Sequence, residues 1–225
     1  MIRLHIVVEG KTEKEFVDEI LMPAFSPLGI IPDARCVATS RKGGRKHSGG
    51  ATNRSYIKLK NDLITWIKED RKADARFSMM IDFYKLAPDF PGYKESRQQN
   101  TPQQKVNILE QRFFEEINDY RFIPYIQLHE FEALLFTEPE KFAIAYPSRQ
   151  NKIQQLIKIR TLFESPEDIN EGSNTAPSKR IQAILPEYEK RTAGPLIALE
   201  IGIEKLCEEN YHFNQWIEKI KQLVS

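Results

Sequence analysis

Apolar and polar positions follow two rhythms along this chain, and the change from one to the other divides it. Residues 2–8 (IRLHIVV) form an apolar, β-branched run too short for a stable helix, and they predict a buried strand. Phe16, Val17, Ile20 and Leu21 then recur at helical spacing and stop before Pro23, with Thr12 and Glu15 spaced as a capping box. Residues 34–38 (ARCVA) predict a second strand. Tyr56, Leu59, Leu63 and Trp66, three or four apart, predict a helix over 54–71. Residues 77–81 (FSMMI) predict a third strand that stops on Asp82. Val106, Leu109, Phe113 and Ile117 mark a further helix, and residues 121–127 (RFIPYIQ) a fourth strand. The resulting β-α-β-α-β-α-β order predicts an α/β fold, a Rossmann-like parallel sheet with flanking helices, because each parallel crossover needs a helix to return the chain.

Beyond Leu128 the rhythm is helical: FEALLF, then 138–146, 150–163, 177–185, 195–208 and 213–224, with an irregular connector over 165–180. The expected organisation is an α/β domain over 1–136 followed by a C-terminal helical region over 137–225 packed on it.

Composition narrows the partners. The 225 residues hold 33 basic and 32 acidic side chains, a net charge of +1, so any attraction for phosphate must be local. Cys36 and Cys207 lie far apart and outside any CxxC spacing, which fits a reducing compartment and argues against zinc. No apolar run approaches the roughly 20 residues of a membrane span, and the first residues carry no small-residue cleavage site. The expectation is a soluble cytoplasmic protein with no membrane partner.

Ligands of an open parallel sheet bind beyond the carboxyl ends of its strands. There the sequence places Glu9 after the first strand, Asp82 at the end of the third, and Glu130 and Glu132 of LHEFEALLF after the fourth. Carboxylates this close repel one another and need a cation, and Mg²⁺ (or Mn²⁺) takes such oxygen ligands while keeping waters for a phosphate substrate. Lys11 or Lys85 would neutralise the transition state. An acidic residue at a strand end also serves simply to cap a helix; for Glu13, expected at the first helical position, the helix dipole alone accounts for a carboxylate.

EGxxE (Glu9 with Glu13), the strand order and Asp82 together resemble the Toprim fold of topoisomerases, primases and the overcoming-lysogenization-defect nucleases. The wider pattern EGKTEKEF, IDFYKLAPDFPG, LHEFEALLF, NTAPSKRI and HFNQW is similar to a bacterial family of unassigned function grouped with Toprim proteins. The resemblance implies Mg²⁺-dependent phosphodiester cleavage, nuclease activity in phage defence and a partner ATPase. It makes Glu9, Asp82 and Glu132 catalytic, with Lys85, and Glu9, Glu13, Asp82, Glu130 and Glu132 metal ligands. Toprim proteins carry a DxD pair where this chain has Asp82-Phe83-Tyr84, so Glu130, Glu132 or Asp89 would take the second position. The alternative is a noncatalytic subunit that binds nucleic acid or an ATPase.

Two basic stretches are candidates for a nucleic-acid substrate. SRKGGRKHSGG at 40–50, expected to be irregular, holds Arg41, Lys42, Arg45 and Lys46 at the end of strand two. NTAPSKRI puts Lys179 and Arg180 in the first turn of a helix, where cations oppose the dipole unless a phosphate, or a glutamate from the sheet edge, lies there. A solvated loop and a surface salt bridge are the plain alternatives. His129 is expected to orient a carboxylate or fill the strand end, Tyr84 to wall the pocket, and His212, Phe213 and Trp216 to be core.

Overall fold

The computed structural model describes residues 1–37, 40–42, 45–47, 56–169, 172 and 175–224; for 40–42, 45–47 and Lys85 it describes the backbone alone. β1 (Ile2–Val8) pairs in parallel with β2 (Ile30–Cys36) on one side. Between them run α1 (Lys11–Phe16), a π-helical turn (Val17–Leu21) and α2 (Met22–Phe25). The expected capping box at Thr12 is absent. The helix starts two residues earlier, on extended Gly10, and Thr12 is buried inside it. The helical course also survives Pro23, because the wide π turn relaxes the carbonyl clash that a proline ring brings.

β2 starts four residues before its predicted position and includes Pro32. A proline fits there because β2 is an edge of the sheet. The stretch after it is not irregular throughout: β3 (Ser40–Lys42) and β4 (Arg45–His47) pair antiparallel, Lys42 opposite Arg45. The signal was the two intervening glycines, the residue type that two-residue hairpin links favour.

α3 (Tyr56–Glu69) leads to β5 (Ala75–Asp82), which lies on the other side of β1. α4 (Tyr93–Ser96) and α5 (Pro102–Ile117) follow, α5 capped by a reciprocal Thr101–Gln104 box. The fourth strand is split by Pro124 into β6 (Phe122–Ile123) and β7 (Ile126–Gln127), both parallel to β5. The order β2-β1-β5-β6 puts the reversal of connection direction between β1 and β5. That is where an open α/β sheet forms its crevice.

The helical half comprises α6 (Glu132–Leu135), α7 (Gln150–Arg160), α8 (Pro177–Ile184), α9 (Lys190–Ile201), α10 (Ile203–Glu209) and α11 (Tyr211–Lys221). The helix predicted over 195–208 is really two. α9 begins five residues earlier and carries Pro195 inside it, and the chain breaks at Gly202, whose φ of 82° favours glycine.

Each face of the sheet has its own core. Leu4, Ile6, Val8 and Met80 pack with Phe16, Phe131, Ile197 and Trp216, whereas Val7, Phe77, Met79 and Ile81 pack with Leu63, Trp66, Leu109 and Phe113. The strict alternation of β1 thus feeds two layers. His212, Phe213 and Trp216 are buried, Trp216 stacking on Tyr125 at 4.3 Å and donating to Ser78. α9 lies against α1 so closely that a Cβ on Gly194 would meet Phe131 Cε1 and the Tyr188 hydroxyl at 3.2 Å and Thr12 Cγ2 at 3.4 Å. Among the described residues no helix is long and apolar enough to cross a membrane.

Candidate metal centre

The crevice between β1 and β5 is where the strand-end carboxylates meet. Glu9 follows β1 and its Oε2 accepts from the backbone N–H of Asp82 at 3.3 Å, which fixes the two strand ends to each other. Asp82 ends β5; its Oδ1 accepts from the Phe131 N–H at 3.1 Å and so anchors the turn that carries Glu130 and Glu132. Glu13 points in from the third residue of α1, not the first as expected. A Cβ on Gly10 would stand 3.3 Å from its Oε2, so the glycine leaves that carboxylate room.

A lysine occupies the middle. Lys190, first residue of α9, places Nζ 2.8 Å from Glu132 Oε2, 3.5 Å from Glu13 Oε1 and 3.9 Å from Asp82 Oδ2. The side chains of Glu13, Asp82 and Glu132 retain 4%, 1% and 0% of their exposure, and that of Lys190 retains 30%. Solvent therefore reaches this cluster along the lysine. Burial lifts the Glu13 and Glu132 carboxyls above their ordinary values despite the pull of Lys190. Burial alone would lower the Lys190 ammonium, but Glu132, Asp82 and Glu13 carry it well above its ordinary value.

Among the described residues no three His, Cys, Asp or Glu side chains form a ready-made metal cage; the ammonium stands where they converge. The donors nevertheless suit a hard divalent cation. They are oxygens only, and Glu132 Oε1 is buried without a partner, an acceptor open to a ligand.

The other candidates separate from this cluster. Glu130 turns away: its Oε1 accepts from the Ser178 N–H at 2.5 Å, at the start of α8. A glutamate from the sheet edge thus faces the helix end where Lys179 and Arg180 looked out of place. Lys179 is exposed, and Arg180 donates to the Thr175 carbonyl and lies over the Phe163 ring. Lys11 is exposed at the start of α1, and Asp89 is exposed beside the Phe90–Tyr56 ring contact. Tyr84 is 43% exposed at the rim. His129, with φ at 61°, donates from Nε2 to the Glu167 carbonyl at 2.8 Å and fills the strand end. The side chains of Lys85, Arg41, Lys42, Arg45 and Lys46 lie outside the described residues.

Lys190 escaped the reading of the sequence. A lysine at a helix start opposes the dipole, the same signal that singled out Lys179 and Arg180. Starting the helix at Pro195 hid it, because that placement left Lys190 in a loop.

No curated protein matches the sequence. Among solved structures the chain is similar to the C-terminal region of the Burkholderia pseudomallei OLD protein, at 12% identity over 100% of both chains and a TM-score of 0.47. It is also similar to the C-terminal region of the Xanthomonas campestris pv. campestris OLD protein, at 15% identity over 99% of this chain and 94% of that one, with a TM-score of 0.45. The family described as Domain of unknown function (DUF4276) matches residues 8–221, and the chain belongs to that family.

Proposed function

We propose that this protein is a Mg²⁺- or Mn²⁺-dependent nuclease of Toprim type, cleaving phosphodiesters in RNA or DNA. One observation carries the reading. Carboxylates that follow β1, lie in α1, end β5 and open α6 are gathered at the crevice, and the three buried ones, Glu13, Asp82 and Glu132, surround a single cation-sized point. Burying that much like charge is unfavourable unless a cation is the purpose of the arrangement.

Glu9, Asp82, Glu13 and Glu132 would hold the ion; Glu130, turned to α8, supports the loop instead. A bound divalent ion supplies Lewis-acid polarisation of the phosphoryl oxygen and a more acidic water. The chain's own contribution is placement. The Glu9 carboxylate accepts from the Asp82 N–H and the Asp82 carboxylate from the Phe131 N–H, so each is held by a neighbouring backbone. The core under α1 and α9 keeps the inner side of the cluster dry, leaving a phosphate one approach, from the solvent side that Lys190 faces. Arg41, Lys42, Arg45, Lys46 and Lys179 would grip the flanking phosphates. The EGxxE resemblance supports a role as a phage-defence effector with a partner ATPase.

The test is cleavage of labelled RNA and DNA with Mg²⁺, Mn²⁺ or EDTA, alongside crystals soaked in Mn²⁺. Cleavage that needs metal and vanishes in Glu9→Ala, with the melting temperature unchanged, supports the reading. Equal cleavage in that variant, or no Mn²⁺ density at the crevice, overturns it. A second reading has its own support: Tyr84 stands where a second aspartate is expected, and Lys190 already balances part of the charge. On that reading the chain is a noncatalytic subunit binding nucleic acid or an ATPase, and it retains nucleic acid in Mn²⁺ without turning it over.

A further inference from the structure

We propose that Lys190 is a placeholder cation: it holds the carboxylate site in shape while no metal is bound, and it must withdraw when the metal enters. This rests on the reading of the cluster as a metal site and adds how that site is kept and filled.

The argument is one of position. Nζ lies within 4 Å of carboxylates from three separate elements, α1, β5 and α6. A divalent ion that drew on the same three oxygens would have to sit at the same point, closer to each. One point cannot hold an ammonium and a dication, and the two would repel strongly at such a distance in a buried setting. Occupancy is therefore exclusive.

Two further features fit a removable occupant. The lysine side chain keeps 30% of its exposure, whereas its three partners keep 4% or less, so the lysine borders solvent along its side chain and the carboxylates do not. It also stands at the first residue of α9, where the helix dipole disfavours a cation. Its hold on the site therefore comes from the carboxylates, and an ion with twice the charge competes for those directly. Glu132 shows the arrangement half satisfied: Oε2 meets the ammonium at 2.8 Å, while Oε1 is buried with no partner. A lysine leaves that lone pair unused. Lys190 is thus a positioning residue, acting through Glu13, Asp82 and Glu132.

The experiment uses the full chain and Lys190→Met, with Lys190→Gln as a second variant, purified in parallel. Mn²⁺ affinity is measured by calorimetry, and melting temperature in EDTA and in saturating Mn²⁺. Loss of the competitor is expected to tighten Mn²⁺ binding by about tenfold or more, as an opposing charge at this distance requires. The variants are expected to melt below the parent in EDTA and to recover in Mn²⁺, with a larger metal-induced rise than the parent shows. A purely structural lysine would lower the melting temperature equally in both conditions. Unchanged or weaker Mn²⁺ binding overturns the proposal, as does a pair of variants that fail to fold even in Mn²⁺. If the variants bind Mn²⁺ and the parent does not, Lys190 is upheld as the occupant, and the metal reading of the native protein fails instead. If none of the three binds Mn²⁺, both fall.

Discussion

The two ends of this parallel sheet both gather charge, and they handle it in opposite ways. At the amino end, Arg3 pairs with Asp70 and Asp74, Arg121 with Asp119, and His5 bridges Asp33 at 2.5 Å and Asp70 at 2.9 Å. Four carboxylates there share three basic side chains, each contact in hydrogen-bonding geometry. Arg121 grips both Asp119 oxygens and also donates to the Asp70 carbonyl. At the carboxyl end, Glu13, Asp82 and Glu132 share one lysine and are far more deeply buried. A satisfied network is what a sheet end needs for stability. An under-neutralised one adds little to stability, and that contrast is what the metal reading proposed above accounts for.

Cutting one residue from each end tests the contrast most strongly. Glu9→Ala is expected to lower metal-dependent cleavage by about 10²–10³-fold, the scale of losing one preorganised electrostatic group, with little change in urea midpoint. Arg121→Met should do the reverse. Losing its charged hydrogen bonds to Asp119 and the Asp70 carbonyl costs about 2 kcal/mol, read from urea unfolding, while cleavage per folded molecule stays unchanged. Glu130→Gln should fall between the two behaviours. It weakens the anchor at the Ser178 N–H and costs about 1 kcal/mol, typical of a helix-end carboxylate.

Between pH 6 and 9 the response is expected from two paired histidines, His5 in the amino-end network and His212 beside Glu110. Burial alone would depress both the His5 and the His212 imidazoles, but Asp33 and Asp70 in the first case and Glu110 in the second hold them above the ordinary value. A raised folded pKa means that the stabilisation is complete below the unfolded value near 6.5 and is lost as pH rises through the folded values. Urea midpoints should therefore fall from pH 6 towards pH 9, and His5→Gln should flatten the slope. The smallest effect is expected at an exposed helix pair. Asp18→Ala removes the contact to Lys14 at 2.5 Å and should shift stability by no more than about 0.5 kcal/mol.

The parallel sheet was legible because β1 and β5 end in apolar runs, residues 6–8 and 79–81, that bury side chains on both faces of the sheet. That Glu9 and Asp82 lie side by side was legible for the same reason: a residue at a strand's end is placed once the strand is. What failed was what depends on partners distant in sequence. The strand predicted over 34–38 begins at Ile30, and its Pro32 fits because β2 is an edge. Glu130 and Glu132 looked equivalent, although a side chain two residues along points elsewhere, here to α8. Thr12 and Glu15 carried a capping pattern that burial of Thr12 against α9 overrode. Lys190 was lost to Pro195, which tertiary packing keeps inside a helix that local rules would start there.

Gly194 gives the arrangement its scale. A single methyl group at that position would press on Phe131, Tyr188 and Thr12, which would have to give by a few tenths of an ångström. Phe131 and Thr12 are the immediate neighbours of Glu132 and Glu13. The absence of a side chain one helical turn beyond Lys190 therefore works as a gauge block: it sets the gap between α9 and the acidic residues, and with it, on the metal reading proposed above, the size of ion that would fit.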